Sequence, residues 1–286
     1  MRIDLMAIAL LAPIAPLAAQ QAVPLHYAPA PGFALSTVTD VNTTITVAGL
    51  PAIPDGAQFE EYVRRFARQM VLEQSPSGWL VEVSLDSTRA RWRPAGGAWR
   101  DAPPSSLDGS RARARVNGRF AVTGVESSGE RDAEVLRALT GWLGGLGFAF
   151  PDAPVPTGTK FDTGARLAFS AELSADSSLP LREMVMGDLE LTVDSLTDRG
   201  TDTLVHFSFG GLFAPRDTRT TGEDGAVGAS FTGAYAGRLI WSTGWDAFVS
   251  GAARLQVQAR VAATSATGAV NATIDWSTTI SHRVRP

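Results

Sequence analysis

The run of this 286-residue chain most suggestive of chemistry is Asp162-Thr163-Gly164-Ala165, because an Asp held in such a turn can activate water for peptide hydrolysis. That reaction needs two such carboxylates sharing one proton in a buried dyad, supplied by duplicated lobes or a dimer. No second Asp-Ser-Gly or Asp-Thr-Gly occurs, and the approach Gly158-Thr159-Lys160-Phe161 is not the apolar strand on which a dyad stands. A polar turn opening a strand at Ala165 accounts for the same residues.

Other chemistries have less to build on. His26, His206 and His282 are far apart, and none has a His or carboxylate at metal-ligand helical spacing. With no Cys, thiol catalysis, disulfides and thiolate metal sites are excluded. No Ser stands in a Gly-x-Ser-x-Gly elbow, and no Gly-rich run precedes a helical pattern to cradle phosphate. The acidic groups Asp194, Asp198, Asp202 and Glu223, Asp224 could ligate calcium, but they read as solvated turns between strands. The sequence therefore predicts a non-enzyme with no catalytic residue, resident metal or cofactor.

Binding residues are easier to find. Arg89, Arg91 and Arg93 recur every second position, as do Arg111, Arg113 and Arg115. Ladders of this kind suit an anionic head group, a polysaccharide or an acidic partner. A solvent-exposed strand face balanced by Glu82, Asp86, Asp101 and Asp108 has the same pattern. In unbroken register the first ladder shares a face with Trp79, Val81, Val83 and Leu85. Either a bulge near Asp86 to Thr88 turns the strand over, or the Arg side chains rim an apolar face, where Arg89, Arg91, Arg111 and Arg113 would meet an amphiphile. A net charge of −4 gives no global field to recruit nucleic acid.

The elements that carry these residues read as strands for most of the chain. Phe33, Leu35, Val41, Ile45 and Val47 alternate with polar residues, predicting a long first strand. Asp55 and Gln58 resemble a capping box, and Phe59, Tyr62, Val63, Phe66 and Met70 follow helical spacing, predicting a helix over 56–68 that grades into a strand over 70–74. Strands follow over 79–85 and, around an Asn117-Gly118 hairpin, over 111–116 and 119–125. A second helix is expected over 130–143, with Val135, Leu136, Leu139, Trp142 and Leu143 as its apolar stripe. Beyond Pro151, Pro154 and Pro156 come strands over 165–173, 181–195 and 204–213, then three long alternating segments. The six residues Glu82 to Ser87 match Glu190 to Ser195 by class, an echo compatible with duplicated sheet halves or with chance.

The three terminal segments predict their own register. A loop Ser242-Thr243-Gly244 pairs Trp241 with Trp245, Phe231 with Leu255 and Tyr235 with Gly251. A turn through 264–267 then pairs Val261 with Val270, Leu255 with Trp276 and Gly251 with Ile280. One face collects the aromatic and aliphatic side chains, and the other collects Thr232, Arg254, Ser277, Ser230, Gln256 and Asp275.

Residues 1–19 read as a secretory signal, with Arg2, an apolar run from Leu5 to Leu11, Pro13 and Pro16, and small residues before cleavage near Ala19. No apolar stretch after it is long enough for a transmembrane helix, so a soluble periplasmic or extracellular protein is expected. Two halves, 20–150 and 151–286, meet at the Pro-rich connector and are expected to be continuous as one domain.

The expected fold is mainly β (α+β). It is a large curved antiparallel sheet, an open or half-closed barrel, with two helices on its concave side, because strands this long must coil. This arrangement resembles the periplasmic lipoprotein-carrier half-barrels, in which helices cover an apolar concavity. The Gly158 to Phe161 strand start and the long terminal meander are also similar to those of exported bacterial β-rich proteins of unknown function. The resemblance implies a hydrophobic or amphiphilic ligand, a lipid or apolar small molecule, between sheet and helices. Phe231, Tyr235, Trp241, Leu255 and Trp276 would line the sheet and Trp142 the helix; the same stripe can equally be a packed core. An envelope-assembly or protein-interaction module, using a sheet edge or the Arg ladders on an envelope partner, is the second expectation, and a hydrolase of unrecognised type a remote third.

Overall fold

The computed structural model describes residues 21–50, 53–126, 146–172, 182–222, 225–265 and 268–285. Their strands are β1 (Ala22–Val23), β2 (Ala34–Ala48), β3 (Ala57–Ser75), β4 (Gly78–Arg93), β5 (Arg100–Asp101), β6 (Ser110–Val116), β7 (Val122–Glu126), β8 (Val155–Pro156), β9 (Lys160–Glu172), β10 (Arg182–Asp198), β11 (Thr203–Gly222), β12 (Gly225–Ser242), β13 (Ala247–Ser265) and β14 (Gly268–Arg285). Twelve form one curved, unclosed antiparallel sheet ordered β7-β6-β4-β3-β2-β14-β13-β12-β11-β10-β9, with β5 on β4. The sheet takes strands from both sides of the Pro-rich connector, because β2 pairs with β14 from Ala48 opposite Thr273 to Ser36 opposite Arg285.

The expected helix over 56–68 is a strand. All of β3 lies between β2 and β4, with Val47 opposite Ala57 and Ala34 opposite Met70 on one side and Glu60 opposite Arg93 on the other. A helix there would leave the facing edges of β2 and β4 without ladder partners. The helical spacing arose because β3 carries apolar residues on both faces: Phe59, Val63 and Val71 belong to the core side, whereas Tyr62 and Phe66 lie outside beneath Arg side chains. Asp55 caps no helix; its Oδ1 accepts a hydrogen bond from Gly49 N at 2.7 Å, closing the β2–β3 turn. The helix expected over 130–143, Trp142 within it and the leader expected over 1–19 lie outside the described residues.

The terminal meander forms with its faces as expected and its register displaced. Tyr235 sits opposite Leu255, Phe231 opposite Ala259 and Trp241 opposite Phe248, while Leu255 faces Thr278 and Val257 faces Trp276. The β12–β13 connection has four residues, because Asp202 accepts from Ser242 Oγ at 2.9 Å and from Gly244 N at 2.8 Å, and Asp246 takes the left-handed turn at φ 47°. Trp245 consequently lies in the loop, 47% exposed, instead of opposite Trp241. Away from the bulge between Ile240 and Trp241 the displacement is two or four residues, and an even displacement keeps each side chain on its face.

The strand also turns over at Asp86. Leu85 pairs with Ala67 and Ser87 with Phe66, so Asp86 is an extra residue. Asp194, its counterpart in the sequence echo, is likewise extra between Val193 opposite Phe207 and Ser195 opposite His206. Each carboxylate accepts a nearby Ser hydroxyl, from Ser84 at 2.9 Å and from Ser208 at 2.7 Å. The echo thus marks two copies of one local bulge.

One face of the sheet holds the core. At one end it is closed by segments outside the long strands: Phe120, Phe148 and Phe150 pack against Trp241 or Phe248, and Tyr27 packs against Phe120, with Phe150 to Trp241 centroids 4.8 Å apart and Phe120 to Trp241 centroids 5.1 Å apart. Edge-on aromatic contacts of this kind are favourable beyond the area they bury. Asn117 Oδ1 accepts from Arg119 N and Ala121 N, both at 3.0 Å, and holds Phe120 at φ 62° so that its ring enters the cluster.

Candidate ligand-binding site

The residues singled out from sequence divide between core and surface. Trp241 belongs to the closed aromatic end and is fully buried. Tyr235 packs its ring against Gly187 and Gly211, where an added Cβ would come within 2.3 and 2.7 Å, and its hydroxyl donates to the Asp188 carbonyl. Burial, then Asp188 and Glu190, raise its pKa. Phe231, Leu255 and Trp276 share the same buried face.

Arg89, Arg91, Arg111 and Arg113 are on the other face. Arg89 and Arg91 pair across strands with Arg64 and Tyr62 and stack on Phe66 at 5.7 Å, Tyr62 at 5.1 Å and Trp99 at 4.8 Å. Arg111 and Arg113 reach Glu82 at 3.4 and 3.2 Å; the Glu82 side chain is 10% exposed. The bulge at Asp86 turns β4 over and sends Arg89 and Arg91 outward, while Arg111 and Arg113 point outward because they alternate with buried Ala112 and Ala114 on β6, so neither ladder rims the apolar face. They also grip different stretches of β4, since β6 pairs only with Trp79 to Leu85. Beside them, burial alone would raise the Asp40 carboxyl, but hydrogen bonds from Arg64 and Tyr62, both at 2.6 Å, hold it below its ordinary value.

Asp162 is an exposed bulge residue. Its Oδ1 accepts from Gly164 N at 2.8 Å while Thr163 donates to the Leu189 carbonyl at 2.7 Å, so the triplet is a bulge inside β9, which already begins at Lys160, and not a turn opening a strand at Ala165. Among the described residues no group of three or more His, Asp or Glu is placed to hold a metal, and no helix is long and apolar enough to cross a membrane.

The core-side face carries a polar row. Thr88 lies opposite Arg65, Arg65 opposite Thr39, Thr39 opposite His282 and His282 opposite Gly251. Residues directly opposite in an antiparallel pair project to the same side, so all four side chains point into the concavity. His282 is 5% exposed, with Nδ1 3.1 Å from Thr39 Oγ1 and Nε2 without a well-formed hydrogen bond. Burial lowers its pKa to about 4, opposed by the Phe248 backbone. Burial also lowers the Arg65 pKa, against the opposing charge of Glu61. Thr88 Oγ1 is buried without a partner.

Beyond this row the face opens. Val41 and Ile280 are buried, followed by Thr43 and Thr278 hydrogen-bonded to each other at 3.0 Å; then Ile45, Phe59 and Val63 are only partly buried. The sequence carries a signal for the row: Thr37, Thr39 and Thr43 interrupt the odd-numbered apolar series of β2, and Thr278 and His282 interrupt the even-numbered series of β14. Polar residues on a core face mark either a satisfied network or a site.

Comparisons with known proteins place the chain in no family. No family model matches it, and no curated protein does. Among solved structures it has a faint likeness to the COG4313 outer membrane channel from Pseudomonas putida F1, at 8% identity and a TM-score of 0.19, covering 91% of this chain and 97% of that one. A likeness so slight carries neither fold nor function across.

Proposed function

We propose that the protein is an exported, non-enzymatic binder of a hydrophobic or amphiphilic ligand, held against the apolar face of its curved sheet. The observation that carries this reading is the contrast along one face. Trp241, Phe248 and Phe150 are sealed in the aromatic cluster, whereas Ile45, Phe59 and Val63, projecting from the same side, remain partly open. Partly open apolar surface inside a concavity is where small-molecule sites form. Export follows from the leader over 1–19, with cleavage near Ala19 and a soluble protein in the periplasm or outside the cell. The outward residues Thr232, Arg254, Gln256 and Asp275 are exposed, which supports a water-facing outer surface, since a barrel crossing lipid turns its apolar side chains outward. The similarity in pattern to lipoprotein-carrier half-barrels belongs to the same reading.

Native mass spectrometry of protein purified without detergent from the periplasm tests it. A discrete lipid-sized adduct that dissociates on activation is expected. Protein at its bare mass, still bare after incubation with mixed lipids, overturns the reading.

The outer Arg face favours a second reading, an envelope-assembly or interaction module. Arg68, Arg89, Arg91, Arg283 and Arg285 are exposed on the three strands β3, β4 and β14, and Arg89 and Arg285 both stack on Phe66. Such a surface suits an acidic partner, and co-purification of one defined envelope protein in place of lipid would support it.

A further inference from the structure

We infer that the row Thr88, Arg65, Thr39 and His282 is the seat for a carboxylate head group, so that the ligand is a single-chain anionic amphiphile of the fatty-acid class. This rests on the reading of the concavity as a ligand site and names the chemistry it selects.

The row spans β4, β3, β2 and β14. With strands roughly 4.8 Å apart, the Arg65 and His282 backbones stand about 10 Å from each other, on either side of Thr39. A long guanidinium and an imidazole projecting from those positions can converge on one small group above the Thr39 hydroxyl. Folded proteins almost always give buried polar atoms a partner, yet Thr88 Oγ1 has none and His282 Nε2, beside the Phe248 backbone, makes no well-formed hydrogen bond; the two flank Arg65 on the inner face. When Thr39 donates to His282 Nδ1, Nε2 carries the ring hydrogen and is a donor. The row then offers a guanidinium, an imidazole N–H and a hydroxyl, a set that fits a planar anion with two acceptor oxygens.

The surroundings fix the rest of the ligand. On the aromatic side the row meets the closed cluster around Trp241 and Phe248, so a chain cannot leave that way. On the other side Val41, Val63 and Ile280 lead past the Thr43–Thr278 pair to Ile45 and Phe59, which are partly buried. From Thr39 to Ile45 is about 20 Å at 3.3 Å per residue, enough for an extended medium-length acyl chain with its head at the closed end. Glu61, four residues from Arg65 on the same side of β3 and exposed, is the charge that the incoming carboxylate displaces from the guanidinium.

The test compares dodecanoate, 1-dodecanol and dodecyltrimethylammonium by calorimetric titration of the mature protein, with Arg65→Met and His282→Phe variants checked for native circular dichroism. Dodecanoate should bind at least tenfold more tightly than dodecanol, and the ammonium more weakly than either. Arg65→Met should bring acid and alcohol to equal affinity, and His282→Phe should narrow the gap. Equal binding of acid and alcohol to the wild-type protein overturns the head-group assignment while leaving the apolar site standing. Failure of all three to bind overturns the apolar site itself. The wild-type comparison decides the question even if a variant does not fold.

Discussion

Thr39 Oγ1 and His282 Nδ1 lie 3.1 Å apart, joining the first long strand to the last at the level where the aromatic end of the core meets its more open part. His282 is neutral there because burial holds its pKa near 4, well below the ordinary 6.5. The unfolded chain therefore binds a proton between those values that the folded chain does not, and stability rises with pH through that window. Lowering the pH from 7 to 4 should cost up to about 3 kcal/mol from this group. His282→Gln should flatten the slope of urea midpoint against pH between 6.5 and 4; an unchanged slope would assign the effect to other groups.

Tyr235 over Gly211 tests whether an expected lining residue is packing. A Cβ at Gly211 would stand 2.7 Å from the Tyr235 hydroxyl oxygen and 3.0 Å from its ring. Gly211→Ala should lower stability by about 1–3 kcal/mol, as overpacking does. The cost should shrink in a Tyr235→Leu background, which a double-mutant cycle in urea reads as coupling. Affinity of the folded protein for dodecanoate should not change.

The outward Arg ladders make the converse case. Arg89→Ser with Arg91→Ser should leave dodecanoate affinity unchanged, because both side chains stack on the outer aromatics Tyr62, Phe66 and Trp99. Glu82→Ala should be felt instead as a small loss of stability, about 1 kcal/mol or less, since it removes the carboxylate shared by Arg111 and Arg113, whose own side chains are largely exposed. A large loss of ligand binding in the Arg pair would return the ladders to the site.

Asn117 organises the turn that delivers Phe120. Asn117→Ala removes the acceptor for two backbone N–H groups and should cost about 1 kcal/mol. Phe120→Ala should cost about 3–5 kcal/mol, because the ring contacts Tyr27, Phe150, Trp241 and Phe248. Thermal melts of the two variants give the ordering.

How far the sequence could be read depended on which residues broke a period and why. The meander was legible because Val257, Val261, Ile274 and Trp276 alternate with polar residues that face water. Its register was displaced because Asp202, forty residues away, sets the β12–β13 loop, a constraint no local pattern contains. β3 was misread because Arg stacking lets Tyr62 and Phe66 sit outside, so its two faces look alike. The bulge at Asp86 was legible as a conflict between apolar and Arg positions on one strand. The polar row was not, because Arg65 fell in the expected helix and His282 had no partner nearby in sequence; only the pairing of β2 with both β3 and β14 brings them together.

The most direct test of a ligand seated at that row is nuclear magnetic resonance of the imidazoles, since the chain has only His26, His206 and His282. With 15N-labelled His, titration with dodecanoate should move the His282 Nε2 resonance as it gains a hydrogen-bond acceptor. His206, bonded to Thr197 at 3.0 Å on the exposed outer face, and His26 should stay fixed. Saturable dodecanoate binding that leaves the His282 resonances where they were would contradict the account.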